Sequence, residues 1–236
     1  MYKIAILGYP IKHSLSPKIH NYWLKKMNIN GKYSAIKTPI KNLEKTIKNL
    51  SKKGYKGLNL TIPLKEEALK YINKKNKIVD IIGAANVLIF SKKGYIEGKN
   101  TDVYGFKKSI LDLVKNKRKE LAIVIGSGGA ARAIVYVLIQ MKYKKIIIYN
   151  RTKKNAEIIK KDLLKKHPKN LPTKINCENL KKIKNNIKKT NLLINTTPMG
   201  MKNFPNLNIN IKDLKLDAAV FDLIYNPLET KLIKDS

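Results

Sequence analysis

The segment from Leu121 to Arg151 constrains the fold of this chain more than any other part of the sequence. It begins with a short apolar run, Leu121–Ile125, which leads into a turn of small residues, Gly126-Ser127-Gly128-Gly129-Ala130-Ala131. An apolar stretch of helical length then reaches about Met141, and a second apolar run covers Lys145–Asn150. Short buried strands that alternate with helices predict a parallel sheet with crossover helices, so the expected fold class is α/β.

The turn between this strand and this helix has the composition of a phosphate-binding loop. Gly126 would make the tight turn, Gly128 would let backbone amides approach a pyrophosphate, and Ala131 is the small residue where helix meets strand. The amino terminus of the helix carries free N–H groups and a positive dipole end, which favour an anion. Glycine spacing alone is weak, but here it lies between a strand and a helix as the chemistry requires. We therefore predict a Rossmann-type dinucleotide-binding domain.

The end of the second strand indicates which dinucleotide is bound. Chains that bind NAD usually place Asp or Glu there to bond the ribose hydroxyl. This chain instead has Asn150-Arg151-Thr152-Lys153-Lys154, whose cationic and hydroxyl groups could hold a 2′-phosphate. Lysines occur everywhere in this chain, so Lys153 and Lys154 could be incidental, but Arg118, Arg132 and Arg151 are the only arginines. The sequence therefore predicts NADP.

The N-terminal part of the chain alternates in the same way. The pattern predicts strands at Tyr2–Leu7, Tyr33–Thr38 and Tyr55–Thr61, a helix from Ser16 to about Met27, and a hairpin from Asn86–Phe90 to Tyr95–Glu97. A lysine-rich connection precedes Leu121, and the pattern predicts two domains with a boundary near Asp102.

Polar side chains follow the predicted strands of this N-terminal part. Asn59 and Thr61 are two residues apart at a strand end, so their side chains face the same way, and Lys65 follows on the first helical turn. Ser14 and Ser16 are also two apart, in the loop before the first helix. Strand ends of open α/β sheets line ligand crevices, and these groups suit a polyhydroxylated substrate. Ordinary capping explains the spacing equally well, with Ser16 as a helix N-cap.

Motifs along nearly the whole chain occur in the order and at the spacing of the shikimate dehydrogenases, which this sequence resembles. They are Gly8-Tyr9-Pro10-Ile11-Lys12-His13-Ser14-Leu15-Ser16-Pro17, Asn59-Leu60-Thr61-Ile62-Pro63-Leu64-Lys65, Gly83-Ala84-Ala85-Asn86, Asn100-Thr101-Asp102, Gly126–Ala130, Asn150-Arg151-Thr152, Asn195-Thr196-Thr197-Pro198-Met199-Gly200 and Asp222-Leu223-Ile224-Tyr225-Asn226-Pro227. So many motifs in register are highly specific.

The resemblance implies an N-terminal open βαβ domain for substrate binding and catalysis over residues 1–101. It implies a Rossmann-type parallel-sheet NADP-binding domain over residues 102–236. The implied reaction is the reversible, NADPH-dependent reduction of 3-dehydroshikimate to shikimate, on the route to chorismate and the aromatic amino acids. Two alternatives remain open. One is a broader quinate/shikimate dehydrogenase, a class that more often accepts NAD, and the other is a non-catalytic remnant that binds a ligand or a partner.

The resemblance also implies roles for individual residues. Lys65 would transfer the proton, with Asp102 beside it, because a lysine can supply both a proton and a positive charge to a developing alkoxide. The residues that would hold the substrate are Ser14, Ser16, Asn59, Thr61, Asn86, Asp102 and Tyr225. The residues that would bind the cofactor are Gly126, Ser127, Gly128, Gly129, Ala130, Asn150, Arg151, Thr152, Lys154 and Leu223. No metal is implied.

The three histidines are expected to have no catalytic role. Imidazole is the usual proton carrier in enzymes, so His13 invites a catalytic interpretation. The resemblance assigns that work to the lysine and implies that His13 positions a loop. His20 and His167 lie outside every motif and are expected at the surface or in packing.

The sequence departs from the family pattern at the C-terminal end. After Thr230 the family continues with a glycine-rich turn and a helix that packs on the first domain and carries a substrate-binding glutamine. We expect this chain to lack both, and therefore to lack part of the substrate shell.

The formal net charge of +34 raises the possibility of nucleic-acid binding. Proteins that read nucleic acid depend on arginine, whereas nearly all of this charge is lysine, dispersed along the chain among Asn and Ile. These residues have A/T-rich codons, so a biased genome explains the excess. We expect a small-molecule substrate and no nucleic-acid partner. The oligomeric state stays open.

No apolar run approaches the roughly 18 residues of a membrane span. The apolar N-terminal stretch has no charged leader or cleavage site, which indicates a first strand. Cys177 is the only cysteine, which suits a reducing compartment. The sequence thus predicts a cytoplasmic protein without a membrane partner.

Overall fold

The computed structural model describes residues 1–12, 14–91, 93–166 and 171–236. These residues form two compact units, Met1–Thr101 and Asp102–Ser236. Each unit contains one sheet in which parallel pairs predominate, with helices in the connections. The predicted α/β fold class is confirmed. His13 and His167 lie outside the described residues.

The first unit contains a six-stranded sheet with the spatial order β2-β1-β3-β5-β6-β4. The strands are β1 (Tyr2–Gly8), β2 (Gly31–Lys37), β3 (Tyr55–Leu60), β4 (Lys74–Lys75), β5 (Val87–Phe90) and β6 (Ile96–Lys99). Strand β1 is parallel to β2 and β3, whereas β5 is antiparallel to β3 and β6. The carboxyl ends of β1, β2, β3 and β6 therefore share one edge of the sheet with the amino end of β5.

The helices of the first unit lie in the connections between these strands. They are α1 (Ser16–Lys26), α2 (Leu43–Lys52), α3 (Leu64–Glu67) and α4 (Lys77–Ile82), with short 3-10 turns at Ile40–Asn42 and Ala68–Tyr71. Helix α2 buries Leu43, Ile47 and Leu50, whose spacing places them on one face. The strands and the hairpin match the predicted positions to within two residues. The β4–α4 segment was absent from the prediction.

The second unit contains a five-stranded parallel sheet with the order β11-β10-β7-β8-β9. The strands are β7 (Leu121–Ile125), β8 (Lys145–Asn150), β9 (Lys174–Asn179), β10 (Leu192–Asn195) and β11 (Ala219–Asp222). Counted along the chain within this unit, this is the strand order of a Rossmann domain, and the order reverses between β7 and β10. The carboxyl ends of all five strands lie at one edge, where such sheets bind their ligands.

The helices of the second unit are α5 (Asp102–Val114), α6 (Gly129–Gln140), α7 (Lys153–Lys166), α8 (Lys184–Ile187) and α9 (Lys231–Lys234). Helix α6 is buried from Ala131 to Ile139, which explains its nearly uninterrupted apolar sequence. Its one charged residue there, Arg132, pairs with Asp162 of α7 at 2.8 Å. Within residues 1–12, 14–91, 93–166 and 171–236, no helix has the length and apolar character needed to cross a membrane.

Candidate active site

Several predicted substrate residues of the first unit meet at the shared edge of its sheet. Asn59 is the penultimate residue of β3, and the Thr61 N–H just beyond it donates to the Leu7 carbonyl at 2.9 Å. The Leu60 N–H donates to the Asn86 carbonyl at 2.9 Å, which extends the β3–β5 pairing by one residue. The Asn59 side chain reaches the same carbonyl through Nδ2 at 3.3 Å. Asn59 and Asn86 are therefore neighbours, although they are far apart in sequence.

The Asn59 side chain is also held by Tyr33 of β2. The phenol Oη of Tyr33 donates to Asn59 Oδ1 at 2.7 Å. Tyr33 is only 2% exposed, and burial raises the pKa of its phenol well above the ordinary value, an effect that a hydrogen bond with Ser16 partly offsets. Tyr33 thus connects two predicted substrate residues. Sequence reasoning missed it, because its only signal was an aromatic residue in a predicted strand.

The start of α1 explains why Ser16 has its side chain available for Tyr33. Leu15 already has helical backbone angles and precedes the first helical residue, Ser16, with no side-chain cap. The Ser16 N–H donates to Ser14 Oγ at 3.3 Å, so Ser14 takes the capping role. The interpretation of Ser16 as the N-cap is therefore wrong. The helix begins one residue earlier than predicted, so the Ser16 hydroxyl does not serve as its cap.

Asn86 is bound to the end of the first unit at two points. Its Oδ1 accepts the Thr101 N–H at 2.8 Å, and its Nδ2 donates to Thr101 Oγ1 at 2.9 Å. Nearby, buried Asn100 donates through Nδ2 to the Ala84 carbonyl at 3.1 Å. These bonds fasten the loop after α4 to the end of β6. Much of the hydrogen-bonding capacity of Asn86 is thus already used within the protein.

Lys65 has a well-fixed backbone in the first turn of α3. The preceding Leu64 is fully buried, and its N–H donates to the Thr61 carbonyl at 2.8 Å. The Lys65 carbonyl accepts the Ala85 N–H at 2.8 Å, which ties this turn to the residue before Asn86. The Lys65 side chain is half-buried. We call Asn59, Thr61, Lys65 and Asn86 the first-sheet site.

The remaining predicted substrate residues belong to other elements of the chain. Ser14 and Ser16 flank the start of α1, as described above, and both are half-buried. Asp102 and Tyr225 belong to the second unit. Asp102 begins α5 and is half-buried, and Tyr225 lies beyond β11 with about half of its surface exposed.

The glycine-rich loop of the second unit is shaped by close backbone packing. Gly126 has a φ of 112°, a conformation that favours glycine, and its N–H donates to the Tyr149 carbonyl at 2.8 Å. A β-carbon at Gly126 would clash with the hydroxyl of Thr196, which itself donates to the Ile125 carbonyl at 2.7 Å. Gly128, which precedes α6, faces open space, so a β-carbon there would meet no protein atom within 4 Å. The space beside Gly128 and the first turn of α6 suits a pyrophosphate.

The loop after β8 presents cations on a fixed backbone. Asn150 Nδ2 donates to the Thr152 carbonyl at 3.0 Å, and Asn179 Nδ2 donates to the Arg151 carbonyl at 2.8 Å. The side chains of Arg151, Thr152 and Lys154 are exposed. Within the described part of the chain, the Arg151 guanidinium makes no ion pair. An exposed guanidinium at this strand end can bind a phosphate.

The ends of β10 and β11 are held by a hydrogen-bond network. Two of its members, Asn195 and Asp222, begin motifs of the sequence, which gave them no structural role. Fully buried Asn195 donates through Nδ2 to Asp222 Oδ1 at 3.1 Å, and its carbonyl accepts the Leu223 N–H at 3.1 Å. Asp222 Oδ2 accepts the Thr230 hydroxyl at 2.7 Å, and Thr230 in turn caps α9. The backbone of Leu223, a predicted cofactor residue, is thereby fixed at the sheet edge.

His20 contributes to packing. Its ring stacks on that of Tyr33, with centroids 4.2 Å apart and an angle of 7° between the planes. Burial lowers the pKa of the His20 imidazole. The expectation that His20 lies at the surface or in packing is confirmed. Within the described part of the chain, no group of three or more His, Cys, Asp or Glu residues could hold a metal ion.

Two family models match this chain. The model for the shikimate dehydrogenase substrate binding domain matches residues 6–88, and that for shikimate / quinate 5-dehydrogenase matches residues 108–215. A relative from Methanosarcina acetivorans, named shikimate dehydrogenase (NADP(+)), is 38% identical over 98% of this chain and 82% of its own length.

Solved structures agree with these matches. A crystal structure of a shikimate dehydrogenase in complex with NADP+ is 34% identical, with a TM-score of 0.84 over 100% of this chain and 80% of that one. A shikimate 5-dehydrogenase from Thermus thermophilus, in complex with NADP(H) and shikimate, is 27% identical, with a TM-score of 0.79 over 100% of this chain and 83% of that one. The chain described here therefore belongs to the shikimate dehydrogenase family.

Proposed function

We propose that this chain catalyses the reversible, NADPH-dependent reduction of 3-dehydroshikimate to shikimate. The family membership supports this activity, as do relatives that are named NADP-dependent shikimate dehydrogenases. The observation that carries the proposal is the first-sheet site, in which hydrogen bonds join the backbone segments that carry Asn59, Thr61, Lys65 and Asn86 at one sheet edge. The side chains of these residues supply amide, hydroxyl and ammonium groups. Such groups suit a substrate rich in hydroxyls with a carbonyl to be reduced.

Lys65 is the proposed proton-transfer residue. When bound, NADPH supplies the hydride that reduces the carbonyl carbon. The carbonyl oxygen then gains negative charge, and Lys65 donates a proton to it; in the reverse direction the neutral amine accepts that proton. The ammonium charge also stabilises the developing alkoxide. The anchored backbone of α3 supports this role, because a proton donor must be held in place. Asp102 is the second proposed catalytic residue.

The proposed substrate-binding residues divide by chemistry. The hydroxyl and amide side chains would orient the ring and its carboxylate; they are Ser14, Ser16, Asn59, Thr61 and Asn86. Asp102 and Tyr225, which belong to the second unit, are the other proposed substrate-binding residues. Residues 1–101 are accordingly the proposed substrate-binding and catalytic domain, and residues 102–236 the proposed NADP-binding domain.

In the second unit, the loop Gly126–Ala130 would hold the pyrophosphate on the first turn of α6. The fit rests on the open space beside Gly128 and on the free N–H groups of that turn. Arg151, Thr152 and Lys154 would bind the 2′-phosphate of NADP, with Asn150 holding the turn. Leu223, whose backbone N–H is bonded to the Asn195 carbonyl, is a further proposed cofactor-binding residue.

The proposed setting is the cytoplasm, where the biosynthetic route to chorismate and aromatic amino acids needs a small-molecule oxidoreductase. The buried thiol of Cys177 is consistent with a reducing compartment. The proposed partners are shikimate, 3-dehydroshikimate and NADP(H), with no nucleic acid and no membrane.

The test is an assay of the purified 236-residue chain with shikimate and NADP, followed at the nicotinamide absorbance band. We expect reduction of NADP that depends on shikimate. Parallel assays with quinate and with NAD distinguish the broader quinate/shikimate activity. Binding of shikimate and NADP without any turnover would contradict the proposal and favour a ligand-binding remnant.

A further inference from the structure

Tyr33 carries an inference that deepens the proposed function and rests on it. We propose that Tyr33 is a positioning residue, which fixes the orientation of the Asn59 amide and thereby sets the affinity for shikimate. Tyr33 belongs to none of the motifs by which the family resemblance was recognised. Its phenol nevertheless bonds a residue of the first-sheet site directly, at 2.7 Å.

The hydrogen-bonding capacity of Asn59 shows what Tyr33 accomplishes. The oxygen of a side-chain amide accepts hydrogen bonds and its nitrogen donates two. Tyr33 donates to Oδ1 of Asn59, which assigns the oxygen to the Tyr33 side. One hydrogen of Nδ2 is directed to the Asn86 carbonyl at 3.3 Å. The second hydrogen of Nδ2 remains for the substrate, so Asn59 is a donor toward a substrate oxygen.

Tyr33 itself is held rigidly. Its backbone N–H donates to Asn21 Oδ1 at 2.9 Å, and its carbonyl accepts Asn21 Nδ2 at 2.9 Å. His20, which belongs to α1 as Asn21 does, stacks on the Tyr33 ring. A tyrosine that is held at its backbone and along its ring can impose one orientation on the amide that its hydroxyl bonds.

Loss of the Tyr33 hydroxyl would leave the longer bond from Nδ2 to the Asn86 carbonyl, at 3.3 Å, as the contact within the described part of the chain that distinguishes the two ends of the Asn59 amide. The amide would be held less firmly and could rotate by half a turn, which presents its oxygen to the substrate, where a donor is needed. Binding should suffer more than the chemical step, because Lys65 is untouched. In the Tyr33→Phe variant we expect the KM for shikimate to rise about tenfold, as for one buried hydrogen bond. We expect kcat to stay within about threefold and the KM for NADP to be unchanged.

Two controls separate positioning from a general structural effect. The first is Tyr143→Phe, since the buried hydroxyl of Tyr143 has no hydrogen-bond partner among the described residues and lies in the second unit. This variant should keep the KM for shikimate. The second is Tyr33→Phe made in an Asn59→Ala background. If Tyr33 acts through Asn59, the substitution should change the KM by less than about twofold there.

Asn59→Asp tests the amide orientation without any change at Tyr33. The aspartate keeps an acceptor for Tyr33 but replaces the donor that faces the substrate with an oxygen. We expect its KM for shikimate to rise at least as much as that of Asn59→Ala. A KM close to that of the unchanged chain would mean that the oxygen of Asn59 faces the substrate, and would overturn the inference.

The outcomes for the two proposals are distinct. Absence of turnover in the unchanged chain contradicts the proposed function before any variant is made. In an active chain, a Tyr33→Phe variant with an unchanged KM overturns the role of Tyr33 alone. An equal rise in KM with and without Asn59 would also overturn it, because the effect would then not pass through the amide.

Discussion

Asn86 holds the Thr101 backbone and side chain at once, through an accepted bond at 2.8 Å and a donated bond at 2.9 Å. A predicted substrate residue therefore also fastens the loop after α4 to the last residue of the first unit. Asn86 is 9% exposed whereas Thr101 is exposed, so truncation of Asn86 would remove two hydrogen bonds from a partly buried contact.

Substitution of Asn86 should therefore impair folding as well as binding. We expect Asn86→Ala to lower the free energy of unfolding by about 1–3 kcal/mol, as for the loss of two hydrogen bonds of about 0.5–1.5 kcal/mol each. The KM for shikimate should rise in the same variant. Urea unfolding of both proteins measures the first effect. A variant with a raised KM and unchanged stability would show that the bonds to Thr101 contribute nothing to folding.

Lys65→Ala should remove the proposed proton donor. We expect turnover to fall about a hundredfold or more, with the KM for shikimate largely kept, as for the loss of a general acid. The matched control is Lys70→Ala, because Lys70 follows in the same segment, is exposed and forms a surface ion pair with Glu67. Steady-state kinetics of both variants provide the measurement. Unchanged turnover in Lys65→Ala would reject this role.

Arg151→Ala should discriminate between the two dinucleotides. The charge-assisted bond to the 2′-phosphate is lost, so the Kd for NADP should rise about tenfold or more, whereas NAD, which lacks that phosphate, should bind nearly as before. Arg118→Ala serves as the control, since Arg118 is exposed in the connection before β7 and lies outside every motif. Equal weakening of both cofactors in Arg151→Ala would indicate a damaged fold and not a lost phosphate contact.

His20 should make the stability of the chain sensitive to acid. Burial lowers its pKa in the folded state below the ordinary value of 6.5, so the folded protein binds the proton less readily than the unfolded chain. Stability should be intact above that value and decrease as the pH falls below it. We expect the loss of unfolding free energy between about pH 7.5 and about pH 5.5 to be smaller in His20→Phe, which keeps a ring against Tyr33. Denaturant titrations at the two pH values test this, and equal losses would contradict it.

Cys177 should be inert in the native protein. Burial raises the pKa of its thiol to about 11, although nearby Lys160 lowers it somewhat. The reactive thiolate is therefore scarce near neutral pH, and the side chain is 7% exposed. A colorimetric thiol reagent should label Cys177 slowly in the folded chain and rapidly in denaturant. Immediate stoichiometric labelling of the native protein would contradict this burial.

The elements that were predicted best are those that the local pattern of apolar residues and turns determines. Strands β7 and β8 have the predicted bounds, because each is a buried apolar run closed by a distinctive turn. The β4–α4 segment was missed, since a two-residue strand leaves no periodicity to detect. The N-cap of α1 was misassigned because the backbone at Leu15 is already helical, which the serine and proline at the start of α1 do not reveal.

The relationship between Tyr33 and Asn59 was beyond the reach of sequence patterns for a different reason. The two residues are 26 positions apart and lie on strands that both pair with β1 and not with each other. Their contact depends on the strand order and on the direction of a phenol across the sheet. Asn195, Asp222 and Thr230 likewise come together only when β10, β11 and α9 are in place. Motif spacing identifies the members of such a site, and tertiary structure decides which side chain orients which.

The two conspicuous glycines of the loop after β7 should respond differently to mutational scanning. Any side chain at position 126 would have to adopt a φ of 112° and displace the Thr196 hydroxyl, so substitutions there should deplete folded protein in an abundance screen. Position 128 has ordinary backbone angles and no neighbour to displace, so its variants should accumulate normally and be lost only in a screen for dehydrogenase activity. The constraint on one glycine comes from the protein's own atoms, and that on the other from the molecule that the protein is proposed to bind.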